Sequence, residues 1–189
     1  IMIESPVPVV VLSSLFADGS ITFEALRLGV IDFVPKPSGA ISQDIHKAKQ
    51  KIIDRIKMAV SVNLENIRRV KLSNPDLKDG YSERYGYKHL DYLLALGTTL
   101  TGPNTAIRLF ANLPSSLPAT AVLVKEISPK ILPSFVKKFD EYVPWRIDMA
   151  QDGMILEQGT CYISSNEKAL SIQVNSNGEA CIKFDKKVD

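Results

Sequence analysis

The stretch that decides the fold is Leu94-Ala95-Leu96-Gly97-Thr98-Thr99-Leu100-Thr101-Gly102-Pro103. The apolar run before it predicts a strand over Tyr92–Leu96 that turns at Gly97. Pro103 predicts the start of a helix that runs to Asn112, because proline is favoured in the first turn of a helix. A strand, a tight turn and a helix in this order are typical of an α/β domain.

The sequence after this helix continues the same alternation. A buried strand is predicted over Thr120–Val124, and a helix from Ser128-Pro129 to Phe139. After Trp145 the pattern changes to short strands with alternating apolar residues. Their predicted bounds are Arg146–Ala150, Cys161–Ser164, Leu170–Val174 and Ala180–Phe184, and the last two form a hairpin that turns at Asn175-Ser176-Asn177-Gly178.

The first sixty residues show a separate strand–helix–strand–helix order. Val7–Leu12 is a nearly continuous β-branched run, typical of a parallel strand buried on both faces. A helix that carries Phe23, Leu26 and Leu28 and ends at Gly29 comes next, followed by a strand over Val30–Val34. An amphipathic helix is predicted from Gln43, with Ile45, Ala48, Ile52, Ile56 and Ala59 on its apolar face.

The region between these two patterns is polar and contains Asn-Pro and Asp-Gly turn signals. We therefore predict three segments: a domain over residues 1–62, a linker over 63–88 and a second domain over 89–189. The first residue is Ile1 rather than methionine, so we expect further residues before it. Each partial sheet leaves open edges, which predicts a homodimer through these edges, rearranged packing between the two halves or poor solubility.

Composition excludes several classes of protein. The chain has 189 residues, of which 45% are hydrophobic and 23% charged, and its net charge is +2, so it can form a core. The basic residues are scattered and no apolar run is long enough to cross a bilayer, so neither nucleic-acid binding nor membrane insertion is expected. Cys161 and Cys181 lack the spacing of a metal site and are predicted to be buried, reduced thiols of a cytoplasmic protein. We expect no metal and no cofactor.

Two segments of the first domain together resemble the second half of a response-regulator receiver, a flavodoxin-like fold. They are Val9-Val10-Val11-Leu12-Ser13-Ser14 and Asp32-Phe33-Val34-Pro35-Lys36-Pro37. The resemblance implies that Ser13 supplies the hydroxyl and Lys36 the ammonium group that follow phosphorylation of an aspartate, and that Phe33 is the switch aromatic. It also implies a histidine kinase as partner of the full receiver, and a cis Lys36–Pro37 bond as a candidate.

Each of these residues, taken singly, also fits a plain structural role: a strand end, a core aromatic and a surface charge. Their joint spacing favours the receiver interpretation. A receiver's acidic pair and acceptor aspartate belong to strands that would precede Ile1, so we expect that this chain is not phosphorylated as given.

The second domain resembles the chemotaxis protein-glutamate methylesterases, the CheB family. Members typically read Ile-Gly-Ala-Ser-Thr-Gly-Gly-Pro at the nucleophile, then Gln-His-Met-Pro-Pro, Ala-Glu-Asp-Gly and Gly-His-x-Tyr-Ile-Ala-Pro. This chain has Leu96–Pro103, Lys125-Glu126-Ile127-Ser128-Pro129, Ala150-Gln151-Asp152-Gly153 and Gly159-Thr160-Cys161-Tyr162-Ile163-Ser164 in the same order. The resemblance implies the first part of a three-layer, parallel-sheet α/β methylesterase domain that ends in a hairpin.

The resemblance also places the catalytic positions. The family uses a serine nucleophile, a histidine base and an orienting aspartate, and here the serine position is Thr99 and the histidine position Glu126. Glutamate side chains ordinarily have a pKa of about 4.3, which makes a poor base for an aliphatic hydroxyl. The turn around Gly97 and Thr98 carries Leu100-Thr101-Gly102 in place of the family's Thr-Gly-Gly, which disfavours an oxyanion hole. The segment with the family's aspartate would follow Asp189.

Plainer roles remain open for these positions. Thr99 also fits a helix cap, and Lys125 with Glu126 fits an ion pair at a strand end. A dinucleotide loop is disfavoured because G-x-G-x-x-G is absent. The histidines, His46 and His89, are predicted to lie on the surface.

Three hypotheses about function follow. The favoured one is a degenerate two-component chemotaxis protein whose catalysis is impaired. It either keeps the scaffold as a regulatory module or as a binding module for methylated chemoreceptor cytoplasmic segments, or is a gene remnant. The alternative is an active receptor methylesterase, or a deamidase of receptor glutamines, with Thr99 as nucleophile. A truncated piece of a longer, divergent protein is compatible with the first.

Overall fold

The computed structural model describes residues 7–14, 19–37, 44–62, 64, 90–98 and 103–185. The chain divides into an N-terminal unit, Ile1–Lys71 with Leu100–Arg108, and a C-terminal unit, Leu72–Thr99 with Leu109–Asp189. Apart from Leu64, the predicted linker lies outside the described residues.

The N-terminal unit has a short parallel sheet with helices. Its described elements are β1 (Val10–Ser13), α1 (Gly19–Arg27), β2 (Asp32–Pro35), a 3₁₀ turn (Ile45–Ala48) and α2 (Lys49–Val60). The two strands pair in parallel, from Val10 opposite Asp32 to Ser13 opposite Pro35. The buried hydrophobic side chains of these elements and the turns between them are Phe23, Leu26, Ile31, Val34 and Ala59. The apolar residues that predicted strands and a helix here therefore supply the core of this unit.

Helix α1 ends at Arg27, one residue before Leu28, so the prediction that the helix carries Leu28 is wrong. Leu28 is 52% exposed. The cause is a helix-ending hydrogen-bond pattern around Gly29, whose φ of 105° suits glycine. The amide of Gly29 donates to the Leu26 carbonyl at 3.0 Å and that of Val30 to the Ala25 carbonyl at 3.0 Å, which turns the chain away from the core.

Helix α2 also differs from its prediction. The predicted start, Gln43, lies outside the described residues, and the first turn after Asp44 is 3₁₀ rather than α-helical. Ile56 is 50% exposed rather than buried, whereas Ala59 is 2% exposed. A regular apolar spacing predicted the helix but did not determine which of its residues are buried. The Lys36–Pro37 bond, a candidate for the cis form, is trans.

The C-terminal unit is built on a four-stranded parallel sheet. Its elements are β3 (Tyr92–Thr98), β4 (Ala119–Lys125), α4 (Leu132–Asp140), β5 (Arg146–Met149), β6 (Thr160–Ser165), β7 (Ala169–Val174) and β8 (Ala180–Asp185). Helix α3 (Pro103–Asn112) crosses the division between the units after Arg108. The sheet order is β3-β4-β6-β5, and β7 and β8 form a separate antiparallel pair.

Strand β6 is an interior strand, between β4 and β5. All six of its residues are buried, so the prediction of an alternating strand at this position is wrong. Its polar groups are paired instead: the Thr120 hydroxyl donates to the Thr160 carbonyl at 3.1 Å, and the Ser165 hydroxyl donates to the Ile127 carbonyl at 2.8 Å. Because these hydrogen bonds replace those with water, a Thr-Cys-Tyr-Ile-Ser-Ser strand can lie in the interior.

The two faces of the sheet are covered by different elements. On one face, Val122, Tyr162 and Ile182 form a cluster with hydrophobic residues of the β7–β8 hairpin. On the other, an aromatic cluster forms beneath α4, in which the Phe110 ring lies 5.3 Å from the Trp145 ring and 6.2 Å from the Phe139 ring. The unit therefore has three layers, with the parallel sheet in the middle.

Helix α4 begins later than the predicted Ser128-Pro129. The residues before Leu132 form a turn, in which the amides of Ile131 and Leu132 donate to the Ser128 carbonyl at 3.1 and 3.2 Å. Pro133 lies in the first turn of the helix, where its missing N–H costs no hydrogen bond. The second proline, not the first, therefore marks this helix start.

The prediction of two buried, reduced thiols is confirmed in part. Both cysteines are free, and Cys161 is buried while Cys181 is half-buried. Burial raises the pKa of the Cys161 thiol well above its usual range, so it stays protonated at neutral pH. Cys161 is therefore a small core residue rather than a nucleophile.

Candidate active site

Three strands of the C-terminal unit end together with polar residues. Thr98, Lys125 and Ser165 are the last residues of β3, β4 and β6, and they are paired in register across the parallel sheet. Ligands of α/β proteins commonly bind at this carboxyl edge of a parallel sheet. The candidate site is therefore this edge and the residues that follow it.

Glu126, which the resemblance places at the family's histidine position, is the first residue after β4. Its side chain is half-buried, and its amide donates to the Thr98 carbonyl at 3.1 Å, which fixes its backbone against the end of β3. Ile127, which follows it, is 8% exposed. Glu126 thus lies at the carboxyl edge, beside the strand that leads into Thr99.

The predicted turn at Gly97 is wrong. Gly97 and Thr98 belong to β3, where they pair with Val124 and Lys125 of β4. A Cβ atom added at Gly97 would meet nothing within 4 Å, so no described neighbour requires glycine there. Two further predictions lie outside the described residues: the nucleophile position, Thr99, and the changed turn, Leu100-Thr101-Gly102.

Ser165 is a site residue that the sequence analysis missed. Its hydroxyl donates to the Ile127 carbonyl and accepts a hydrogen bond from the Glu167 amide at 3.2 Å. The amide of Asn166 donates to the Lys125 carbonyl at 3.0 Å. These bonds hold the segment around Glu126 against the end of β6. The available signal was a pair of serines that ends an otherwise apolar strand.

Asp152 connects the loop after β5 to the hairpin. One carboxylate oxygen accepts the Phe184 amide at 2.8 Å, and the other is 3.0 Å from the Lys183 ammonium group. The hydrogen bond from the Phe184 amide is the main cause that lowers the pKa of Asp152, with the bond from Lys183 second. This aspartate of the Ala150–Gly153 segment therefore has a structural role.

We expect Asp152→Asn to destabilise the protein more at neutral pH than at pH 3. A lowered pKa in the folded state means that the carboxylate stabilises the fold above the pKa of the unfolded state, and that this contribution disappears as the pH falls through the folded-state pKa. Urea unfolding of the two proteins at pH 7 and pH 3 measures the effect. A difference in stability that stays constant with pH would contradict it.

The receiver-like residues lie together in the N-terminal unit. The amide of Lys36 donates to the Ser13 carbonyl at 2.9 Å, at the carboxyl ends of β1 and β2. Phe33 is half-buried and pairs in register with Val11. Of the histidines, His46 is exposed in the 3₁₀ turn, and His89 lies outside the described residues.

Within the part of the chain that the structure describes, no helix has the length and apolar character needed to cross a membrane. Nor do its histidine, cysteine, aspartate and glutamate residues form a group of three or more that could hold a metal ion.

Comparison with known proteins gives consistent results. A sequence model of the CheB methylesterase family matches residues 94–189. A protein-glutamate methylesterase/protein-glutamine glutaminase of Methanosarcina acetivorans is 32% identical over 96% of this chain and 53% of its own length. One from Bacillus licheniformis is 31% identical over 98% and 53%, and one from Caldanaerobacter subterraneus 30% over 96% and 52%.

A solved structure, the Thermotoga maritima CheB methylesterase catalytic domain, is similar with 25% sequence identity and a TM-score of 0.47, over 51% of this chain and 50% of that one. The chain spans about half the length of the curated relatives it matches. The family model covers the parallel sheet from Leu94 onward, and the sequence relatives extend over nearly the whole chain. The chain therefore belongs to the CheB methylesterase family.

Proposed function

We propose that this chain is a chemotaxis signalling protein in which catalysis is impaired and the scaffold serves as a cytoplasmic binding module for chemoreceptor segments. The observation that carries the proposal is the carboxylate of Glu126 at the family's histidine position, with its backbone fixed at the end of β4. The names of the relatives support the substrate class, since they describe action on protein glutamate and glutamine side chains.

The loss of the histidine removes a step that ester hydrolysis needs. A neutral imidazole takes the proton of the attacking hydroxyl and returns it to the departing methoxide near neutral pH. An ionised carboxylate is a weaker base and carries no proton to return. General acid–base catalysis typically contributes about 10²–10⁴-fold to a rate, so its loss alone accounts for a large decrease in activity.

The nucleophile position adds a second cost. Thr99 keeps a hydroxyl, but its extra methyl group restricts χ1 and crowds the approach to an ester carbonyl. Leu100 and Thr101 follow where the family has small residues that allow backbone N–H groups to approach an oxyanion. A module that only binds receptor segments tolerates all of these changes.

The binding role is tested by retention of purified chemoreceptor cytoplasmic segments on the immobilised full chain. We expect the segments to be retained and the retention to be unchanged in Thr99→Ala, because binding does not use the nucleophile. A matched resin that carries an unrelated α/β protein is the control. No retention above this control would argue against a binding module.

An active methylesterase that uses Thr99 as nucleophile is the second candidate. It is favoured by the hydroxyl that remains at the nucleophile position and by the activity named for the relatives. It predicts methanol release from methylated receptor segments that disappears in Thr99→Ala. Our proposal predicts equal, background release from both proteins.

For the N-terminal unit we propose the role of a partial receiver: in a full receiver, Ser13 and Lys36 would respond to phosphorylation of an aspartate, and a histidine kinase would be the partner. The support is the position of both residues at the carboxyl ends of two parallel strands, with Phe33 two residues before the end of β2, opposite Val11. Retention of a histidine kinase on the immobilised protein, weakened by Lys36→Ala, would support this. Equal retention by the variant would contradict it.

We also propose that the chain forms a homodimer through an open sheet edge. Within the described sheet, β3 has β4 as its one neighbour, and the strand contains no charged residue. Tyr92 is 66% and Leu93 45% exposed, and an apolar edge strand of this kind favours pairing with another strand. Sedimentation velocity should show a dimer that dissociates in Leu93→Lys. A monomer at all concentrations would contradict it.

A further inference from the structure

The turn of the β7–β8 hairpin contains a pair of residues that the proposed functions do not use. Asn177 is followed directly by Gly178, and this is the one Asn-Gly pair in the chain. In such a pair the backbone nitrogen of the glycine can attack the side-chain amide carbon of the asparagine, because glycine has no side chain that crowds the approach. The contacts that hold the two residues decide whether the reaction takes place in the folded protein.

The side chain of Asn177 is free to react. Asn177 is exposed, and among the described residues its side-chain amide has no hydrogen-bond partner. It is the backbone amide of Asn177 that is held in the turn, since it donates to Oδ1 of Asn175 at 2.9 Å. The carbon that is attacked can therefore rotate toward the next residue without breaking a side-chain contact.

The attacking nitrogen is held by a single exposed hydrogen bond. The Gly178 amide donates to the Asn175 carbonyl at 3.0 Å. Gly178 is exposed, and a Cβ atom placed on it would meet nothing within 4 Å, so no packed neighbour keeps this part of the turn closed. Hydrogen bonds at exposed loop tips open at a small cost in free energy. The fold thus slows the attack without preventing it.

Asn175, in the same turn, provides an internal comparison. Its Oδ1 atom accepts the amides of Asn177 and Glu179, both at 2.9 Å. Its Nδ2 atom donates to a Glu179 carboxylate oxygen at 3.0 Å. The residue that follows is Ser176, whose side chain crowds the backbone nitrogen. Both the hydrogen bonds and the neighbour therefore favour reaction at Asn177 over reaction at Asn175.

We propose that Asn177 is a site of spontaneous deamidation, which converts the tip of the hairpin into a mixture of aspartate and isoaspartate. The Gly178 nitrogen forms a bond to Cγ of Asn177, the bond from Cγ to Nδ2 breaks, and the Gly178 amide proton leaves with Nδ2 as ammonia. Water then opens the cyclic imide. Opening at Cγ gives aspartate, and opening at the backbone carbonyl carbon gives isoaspartate, whose main chain is one methylene longer.

The isoaspartate product alters the hairpin more than the aspartate product does. The additional methylene displaces Gly178 and Glu179, whose amides donate to the carbonyl and to Oδ1 of Asn175. The strands that this turn joins cover one face of the parallel sheet, where Ile182 packs with Val122 and Tyr162. Aspartate adds a charge at an exposed position but leaves the length of the main chain unchanged. We therefore expect isoaspartate to weaken the hairpin.

The test incubates the full chain at mildly alkaline pH, both folded and unfolded in guanidinium chloride. Peptide mapping by mass spectrometry then locates each side-chain amide that has become an acid. We expect conversion at Asn177 in the folded protein, none at Asn175 over the same time, and faster conversion at Asn177 in the unfolded chain. The proposal is overturned if Asn177 stays intact in the folded protein while the unfolded chain is converted, or if Asn175 reacts equally fast.

Gly178→Ala tests the identity of the attacking group. In guanidinium chloride, where the stability of the turn has no influence, this variant should react at Asn177 at least about tenfold more slowly, because the added methyl group restricts the backbone and crowds the nitrogen. An unchanged rate would show that the Gly178 nitrogen is not the attacking group and would overturn the proposed route.

Asn177→Asp separates the new charge from the longer main chain. We expect this variant to unfold at nearly the same urea concentration as the unmodified protein. A sample aged until most of its residue 177 is isoaspartate should unfold at a lower urea concentration than both. Equal midpoints for the aged sample and Asn177→Asp would contradict the predicted effect of isoaspartate on the hairpin.

Discussion

Replacement of Trp145 by alanine is expected to lower the free energy of unfolding of the C-terminal unit by about 3–5 kcal/mol. Trp145 is fully buried, and its ring packs edge-on against Phe110 at a centroid distance of 5.3 Å. Its indole N–H donates to the Leu113 carbonyl at 2.9 Å. Removal of the indole leaves a cavity beneath α4 and leaves the Leu113 carbonyl without its donor. Both effects lower the free energy of unfolding.

Two matched variants make this prediction specific. Trp145→Phe keeps an aromatic ring but loses the N–H, so we expect an intermediate loss of about 1–3 kcal/mol. Val174→Ala truncates a side chain of β7 that is 71% exposed and lies outside the proposed dimer edge, and its effect should stay within about 0.5 kcal/mol. Urea unfolding of all three variants is followed by far-UV circular dichroism. Tryptophan fluorescence is unsuitable because Trp145 is the one tryptophan of the chain and two of the variants remove it. A loss below about 1 kcal/mol for Trp145→Ala would mean that the described core is wrong.

Gly159→Ala should destabilise the protein by about 3 kcal/mol or more, because strain and a steric clash add at this position. Gly159 has a φ of 67°, which side-chain-bearing residues rarely adopt. A Cβ atom there would lie 2.6 Å from the Ser115 carbonyl oxygen. Two hydrogen bonds hold the backbone of Gly159 in place. The Gly159 amide donates to the Ala119 carbonyl at 2.9 Å, and the Gly159 carbonyl accepts the Arg146 amide at 3.0 Å.

Gly178→Ala provides the control for this effect. Gly178 also has a positive φ, of 80°, but a Cβ atom at this hairpin turn would meet nothing within 4 Å. Its replacement should therefore cost the conformational strain alone, about 1–2 kcal/mol. The difference between the two variants isolates the clash with Ser115. Equal losses in thermal or urea unfolding would show that the close approach at Gly159 is absent.

The order of the elements in the C-terminal unit could be predicted from the sequence, because it depends on local patterns. The apolar run around Thr120–Val124 is dense enough to predict a buried strand, and β4 occupies Ala119–Lys125. The position of β6 between β4 and β5 could not be predicted in this way. The pairing of strands is determined by contacts between residues that are far apart in the sequence. Such contacts produce no local periodicity of apolar residues from which the strand order could be predicted.

Burial within elements was predicted less well than the elements themselves. Leu28 and Ile56 have the spacing of core residues and are both about half exposed, because one lies after a helix-ending turn and the other off the packed face of α2. Gly97 was interpreted as a turn residue and lies in β3. Glycine permits a turn but also fits a strand position with open space beside it.

The candidate site could be predicted in part, through the family resemblance. It places Glu126 at the carboxyl edge of the sheet, where the structure also has it. It gave no indication of Ser165, whose importance comes from a hydrogen bond to Ile127, 38 residues earlier in the sequence. Nor did it indicate that Lys125 is 5% exposed and lies beneath α4. Such environments depend on the packing of separate elements, which residue types alone do not specify.

The central proposal is that, among the described residues at this edge, no group both takes the proton of the Thr99 hydroxyl and returns it to the leaving methoxide. Intact-mass spectrometry, after a receptor peptide with a glutamyl methyl ester has been mixed with the full chain at neutral pH and quenched in acid, tests this most directly. The account predicts no mass increase, with the unmodified protein indistinguishable from Thr99→Ala. An acyl adduct on Thr99 that forms, disappears as the peptide is hydrolysed and is absent in the variant would contradict it.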